Sequence, residues 1–141
     1  MSGRERNVQL LLDGLDAWSR GDLGDSLEKM HPDVEWHVVF RLPDLPLGKD
    51  TYRGREEVRA LWAQFRSAWD ELTIHVEEFL HVDDERVVAR ARFRGRGSGS
   101  GAEVDRVVFY AFRIREERLA YCRAFDDEAS ARADVGLDDG L

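Results

Sequence analysis

Cysteine is nearly absent. Cys122 is the only one, so the chain can form no intrachain disulfide and no cysteine-based metal cluster. Lysine is scarce as well: Lys29 and Lys49 stand alone, and arginine supplies the rest of the positive charge. Acidic residues outnumber basic ones, 29 against 21, for a formal net charge of -8. That balance argues against a general binder of nucleic acid or of an anionic membrane. No apolar run of about 18 residues occurs, so no segment is expected to span a membrane. The stretch MSGRERN is polar and leads into an amphipathic segment rather than an apolar signal core, which makes the cytoplasm the expected address. Phosphate loops, dinucleotide fingerprints and nucleophile elbows are missing too. His31, His75 and His81 have no tight ligand spacing, so neither a metal nor another cofactor is expected.

What is present describes one folded domain. With 141 residues and 43% apolar composition, residues 1–141 form a single unit with a core over about 4–135. Val8, Leu11, Leu12, Leu15 and Trp18 recur at helical spacing and predict a helix over about 4–20, stopped at Gly21. Asp22 can cap a short second helix whose apolar stripe is Leu23, Leu27 and Met30. His31-Pro32 ends it, because the residue before proline disfavours helix. Residues 33–39 (DVEWHVV) read as a strand. Residues 40–51, with Pro43, Pro46 and Gly48, read as a loop, either a lid over a pocket or an ordinary connection. Val58, Leu61, Trp62, Phe65 and Trp69 predict a third helix over about 55–69. Strands follow at 73–82, bulged at Glu77-Glu78, and at 85–94, where Val87, Ala89, Ala91 and Phe93 share one face. Residues 95–101 (GRGSGSG) read as a flexible hairpin loop.

The stretch from Glu103 to Asp127 organises the rest. Two alternating runs flank a polar corner at Glu116-Glu117, the signature of a β-hairpin. With Arg115 opposite Arg118, the register pairs Ile114 with Leu119, Phe112 with Tyr121, Tyr110 with Arg123 and Val108 with Phe125. That face is expected to line a pocket. The other face carries Val107, Phe109, Ala111, Ala120, Cys122 and Ala124. An apolar sheet face needs a cover, and a homodimer through these six residues is the expected one; the chain's own C-terminal segment is the alternative. Asp126 can cap a last short helix through about Ala133. The plan is α+β: a curved antiparallel sheet wrapped over three N-terminal helices.

Four segments carry a family resemblance. They are AWSRGDLGDSLEKMHPDVEWH (17–37), TYRGREEV (51–58), FYAFRIREERL (109–119) and RAFDDEASARADVGL (123–137). With them the chain resembles the SnoaL-like branch of the nuclear-transport-factor-2-like superfamily, which holds ketosteroid isomerases and polyketide cyclases. The turn at Glu116-Glu117 departs from the glycine usual there. The resemblance implies a cone-shaped, cystatin-like α+β barrel with a pocket between sheet and helices, and frequent dimers through the outer sheet face.

It also implies where chemistry would sit. In ketosteroid isomerases a strand carboxylate shuttles a proton while a phenol and a protonated acid stabilise the enolate. His37 takes the place of the shuttle and Tyr110 that of the sheet acid, so steroid isomerisation is not expected. The substitutes are still capable. Imidazole is a general base near pH 7, and a phenol and a guanidinium can donate to a developing oxyanion. The candidate catalytic set is therefore His37 as base with Tyr110 and Arg123 as donors, and Glu35 is placed to hold the imidazole. The competing reading gives His37 and Arg123 structural roles. Aromatic candidates for the pocket are Trp18, Trp36, Tyr52 and Trp62, with Phe65, Phe112, Tyr121 and Phe125. They point to an apolar cyclic small molecule. Arg92 and Asp105 echo the pair of limonene-type epoxide hydrolases, but alternation puts them on the outer face as part of a cross-strand ion-pair ladder with Arg94 and Glu103.

Three functions compete. One is an isomerase or cyclase using cofactor-free acid–base chemistry on a carbonyl-containing cyclic substrate. Another is a non-catalytic small-molecule-binding or stress-associated module. The last is an interaction module that works through its exposed sheet face.

Overall fold

The computed structural model describes residues 2–37, 51–67, 69–97, 99, 101 and 103–137. Helix α1 spans Gly3–Ser19, with the Ser2 hydroxyl accepting from the Glu5 amide as N-cap. It ends where Gly21 takes φ 82°, a left-handed conformation that glycine adopts without steric cost. Asp22 caps α2, Leu23–Glu28, through the Asp25 amide. Strand β1 runs Met30–His37. Residues 40–50 of the expected loop, and with them its reading as a lid, lie outside the described residues. Its last residue, Thr51, opens a short strand β2, Thr51–Arg53, which the sequence pattern did not predict. Helix α3, Gly54–Ser67, follows. The remaining strands are β3, Trp69–Val82, β4, Arg86–Gly97, β5, Glu103–Arg115, and β6, Arg118–Phe125. Asp127, one residue later than expected, caps α4, Glu128–Asp134.

These strands form one curved six-stranded sheet in the order β2-β1-β6-β5-β4-β3. It is mixed rather than wholly antiparallel, because β1 lies parallel to β6. Trp69, expected at the end of the third helix, instead opens β3. The expected bulge is present: the β3–β4 register shifts between Val76 and Glu78. Val87, Ala89, Ala91 and Phe93 all face the main core, as their alternation requires. The ion-pair ladder is on the outer face, displaced by one pair from the expected register. Arg94 stands opposite Asp105 and Arg96 opposite Glu103, while Arg92 reaches Asp105 diagonally at 2.8 Å.

The β5–β6 hairpin turns at Glu116-Glu117, and Arg115 faces Arg118. Both turn residues have positive φ, 54° and 64°, the geometry of the hairpin turn that favours Asn-Gly. Replacing the pair with Glu116→Asn and Glu117→Gly is expected to raise stability by about 1 kcal/mol by relieving left-handed strain. The readout is a higher denaturant midpoint. An unchanged midpoint would mean that losing the exposed Arg6–Glu117 ion pair cancels the backbone gain.

Beyond the turn the hairpin departs from the expected register. Leu119 pairs with Ile114, but Tyr121 pairs with Arg113, so Ala120 is an extra residue in β6. Such a bulge reverses every side chain after it. Cys122 and Ala124 therefore face the main core, while Tyr121, Arg123 and Phe125 face outward. The expected subunit contact is corrected accordingly. Cys122 and Ala124 are not on the outer face. Ala111 is on it, but fully buried under α4 together with Val88, Ala131 and Val135. The chain's own C-terminal helix thus covers much of that surface. Val107, Phe109 and Ala120, each half-buried, are the expected contact residues left on the outside.

Candidate ligand cavity

The concave side of the sheet, α1 and α3 enclose a cavity of about 110 Å³. The helices bring rings to it because their apolar stripes face the sheet. Trp18 on α1 meets Trp62 on α3 edge-on, with centroids 6.3 Å apart at 75°. Trp36 on β1 meets the same ring at 5.4 Å and 85°. From the sheet come Phe93 on β4 and the pair Tyr110 and Phe112 on β5, whose rings stack at 5.4 Å and 15°. Leu11, Met30, Leu61, Ile74 and Leu119 supply aliphatic wall.

Few polar groups reach this space. The Ser26 hydroxyl donates to the Gly14 carbonyl at 3.0 Å. The Lys29 ammonium is held 3.4 Å from Asp25. The Tyr110 hydroxyl differs: it makes no hydrogen bond within the described residues, and the side chain is buried against the cavity. Burial, and after it the neighbouring Cys122, push its pKa well above the ordinary phenol range. Tyr110 therefore stays protonated at neutral pH and presents a donor.

The candidate catalytic set does not assemble around that donor. His37 borders the cavity, but its ring nitrogens are engaged by outer-face neighbours. Nε2 lies 2.5 Å from Glu35 Oε2, and Nδ1 lies 3.2 Å from the Thr51 hydroxyl. Its ring packs 5.1 Å from that of Tyr121. The His37 hydrogen bond, aided by Arg53, holds the Glu35 carboxyl below the usual range despite partial burial. Glu35 thus does orient the imidazole, but on the convex side. Arg123 is not opposite Tyr110, whose partner is Ala124. It lies on the outer face, 3.7 Å from Asp134 and over the Phe125 ring. The Ala120 bulge is the reason.

Of the expected aromatic lining, Trp18, Trp36, Trp62, Phe65 and Phe112 border the cavity. Tyr52 is buried in the core next to Trp36 without bordering it. Tyr121 and Phe125 are corrected to the outer face. There the Tyr121 hydroxyl donates to Asp134 at 2.6 Å, and Phe125 packs beside α4. Phe93 was missed as a lining residue. Its signal was available, since it is the one ring in the inward-facing alternation of β4. Among the described residues no group of three or more His, Cys, Asp or Glu could hold a metal ion. No described helix is long and apolar enough to cross a membrane.

A six-stranded curved sheet wrapped over helices, with an apolar cavity on its concave side, defines the nuclear-transport-factor-2-like α+β class. Within that class the chain belongs to the SnoaL-like domain family, whose model matches residues 12–122. Solved structures agree on the fold. A nuclear-transport-factor-2-like protein of unknown function from Burkholderia pseudomallei is 24% identical, with 94% of this chain and 97% of that one covered and a TM-score of 0.76. TerC, co-crystallised with polyporic acid, is 20% identical over 91% of this chain and 96% of its own, with a TM-score of 0.74. A putative SnoaL-like polyketide cyclase from Jannaschia sp. CCS1 is 23% identical over 90% of this chain and 89% of its own, at 0.72. No curated protein matches the sequence.

Proposed function

We propose that this SnoaL-like protein binds a small, largely apolar cyclic molecule in the cavity and that Tyr110 donates a hydrogen bond to an acceptor oxygen on it, such as a carbonyl. The observation that carries this reading is Tyr110: a phenol kept protonated, on a side chain that borders the ring-lined space and has no hydrogen-bond partner among the described residues. An acceptor on a bound molecule gives that donor a partner inside an apolar site, where such a bond is worth most. The co-crystallisation of TerC with a small molecule is consistent with the fold hosting such a ligand.

Binding accounts for the geometry better than turnover. A protonated phenol also suits stabilising an enolate oxygen, which keeps the isomerase or cyclase reading as the alternative. That reading needs a base on the cavity side, and the nitrogens of His37 are committed elsewhere. Trp18, Trp36 and Trp62 border the cavity, so titration with cyclic ketones is expected to change tryptophan fluorescence. Tyr110→Phe is expected to weaken ketone binding about tenfold. Equal affinity in the variant would remove Tyr110 from the reading. Proton NMR in deuterium oxide separates the alternatives: enzyme-dependent exchange beside the carbonyl means catalysis, and a bound ketone without exchange means a binding module.

A further inference from the structure

We infer that the cavity selects a neutral, single-ring aromatic carbonyl compound, and that Phe93, braced by Trp69 lying over Gly95, sets the size limit. The inference rests on the proposed binding function and specifies its ligand.

Size comes first. A cavity of about 110 Å³ is on the scale of the engineered apolar cavity of roughly 150 Å³ that takes up one benzene. A second fused ring exceeds that volume, so it must either displace a wall or extend out through the cavity mouth. Phe93 is the wall least able to move. It is 1% exposed. Phe65 meets it edge-on at 5.8 Å, and Trp69 does so at 5.5 Å. Trp69 in turn packs closely on the Gly95 backbone. Its ring occupies the space a side chain at residue 95 would fill, since a Cβ on Gly95 would come within 2.6 Å of it. Packed interiors resist such displacement because each ring's rotamer is held by the next.

Charge and shape narrow the class further. Among the described residues that border the cavity, the cation Lys29 is already paired with Asp25. A carboxylate ligand would bury a charge without a free counterion among the described residues and would approach a chain of net charge -8. Tyr110 and Phe112 form a flat two-ring surface at 15°, and the Trp36 and Trp62 rings stand perpendicular to each other at 85°. A planar ring can stack on the first pair while meeting an edge of the second. Tyr110 then asks for one acceptor, and a ring-bound carbonyl supplies it.

The test titrates the full chain with acetophenone, 2-acetylnaphthalene and benzoate, reading tryptophan fluorescence. Wild type is expected to bind acetophenone about tenfold or more tighter than either of the others. Phe93→Leu is expected to raise the naphthyl-to-phenyl affinity ratio about tenfold. Should that variant melt early by circular dichroism, Phe93→Met is read in its place. The inference is overturned if wild type binds the naphthyl ketone or benzoate as tightly as acetophenone, or if neither variant shifts the ratio. Binding of the larger ketone with retained dependence on Tyr110 would overturn the inference alone. Failure of every probe would overturn the binding function as well.

Discussion

Phe93→Ala is expected to cost about 3–5 kcal/mol of stability, the range for truncating a fully buried ring. Phe93 is 1% exposed and joins the rings of Phe65 and Trp69 to the cavity wall. Its removal takes away both edge-to-face contacts, and Trp69 packs in addition on the Gly95 backbone. The new void opens into the existing cavity rather than forming an isolated hole. A two-ring apolar ketone should therefore raise the melting temperature of the variant more than that of wild type, by mass action on the folded state. Denaturant unfolding measures the cost. A loss below about 1 kcal/mol would mean that the surrounding rings repack, and the rigid-wall picture would fall with it.

Asp83→Asn is expected to cost about 1.5–3 kcal/mol at neutral pH, the range for losing hydrogen bonds to a charged acceptor. Asp83 closes the β3–β4 turn. Its carboxylate accepts from the Glu85 amide at 2.9 Å, the Arg86 amide at 2.7 Å and Arg86 Nε at 3.0 Å. His81 Nε2 lies 2.8 Å away. The backbone carbonyls of Asp83 and Asp84 receive the Asn7 amide, which ties α1 to the same turn. Burial pushes the Asp83 carboxyl up, but the bonds from His81, Glu85 and Arg86 outweigh it and hold it well below the usual carboxylate range. A carboxyl lowered on folding stabilises fully above its unfolded value, near pH 4, and loses that stabilisation as the pH falls toward its folded value. The difference between wild type and variant should thus be greatest at neutral pH and shrink on acidification below about pH 4. A difference independent of pH would mean that turn geometry, not the charge, matters at this position.

Much of the architecture could be read from the sequence, because it rests on local rules. The stripe in α3 and the alternation in β4 place their residues on the core side whatever their neighbours do. Asp22 acts as a cap within one turn of chain, the cap of the last helix falls at Asp127, one residue past the expected Asp126, and Glu116-Glu117 forms the corner its polar context announces. Of the rings expected along the cavity, Trp18, Trp36, Trp62, Phe65 and Phe112 border it, and Tyr52, Tyr121 and Phe125 do not.

The tertiary structure decided what lay beyond the β5–β6 turn. Nothing in RLAYCRAF distinguishes a regular strand from one with an extra residue at Ala120. The choice is made by the partner strands: the Leu119 amide bonds to the Lys29 carbonyl at 2.9 Å, and β1 then pairs along β6 in parallel. That single inserted residue moved Arg123 away from Tyr110 and turned Tyr121 toward Asp134, dissolving a catalytic set that an unbroken alternation had assembled. Strand alternation is a local property, but its phase is set by hydrogen bonds to strands distant in sequence. Periodicity therefore determined the layers and the inward faces of the main elements, while the four matching segments pointed to the family. Which few polar groups share the pocket was decided only when the sheet closed around it.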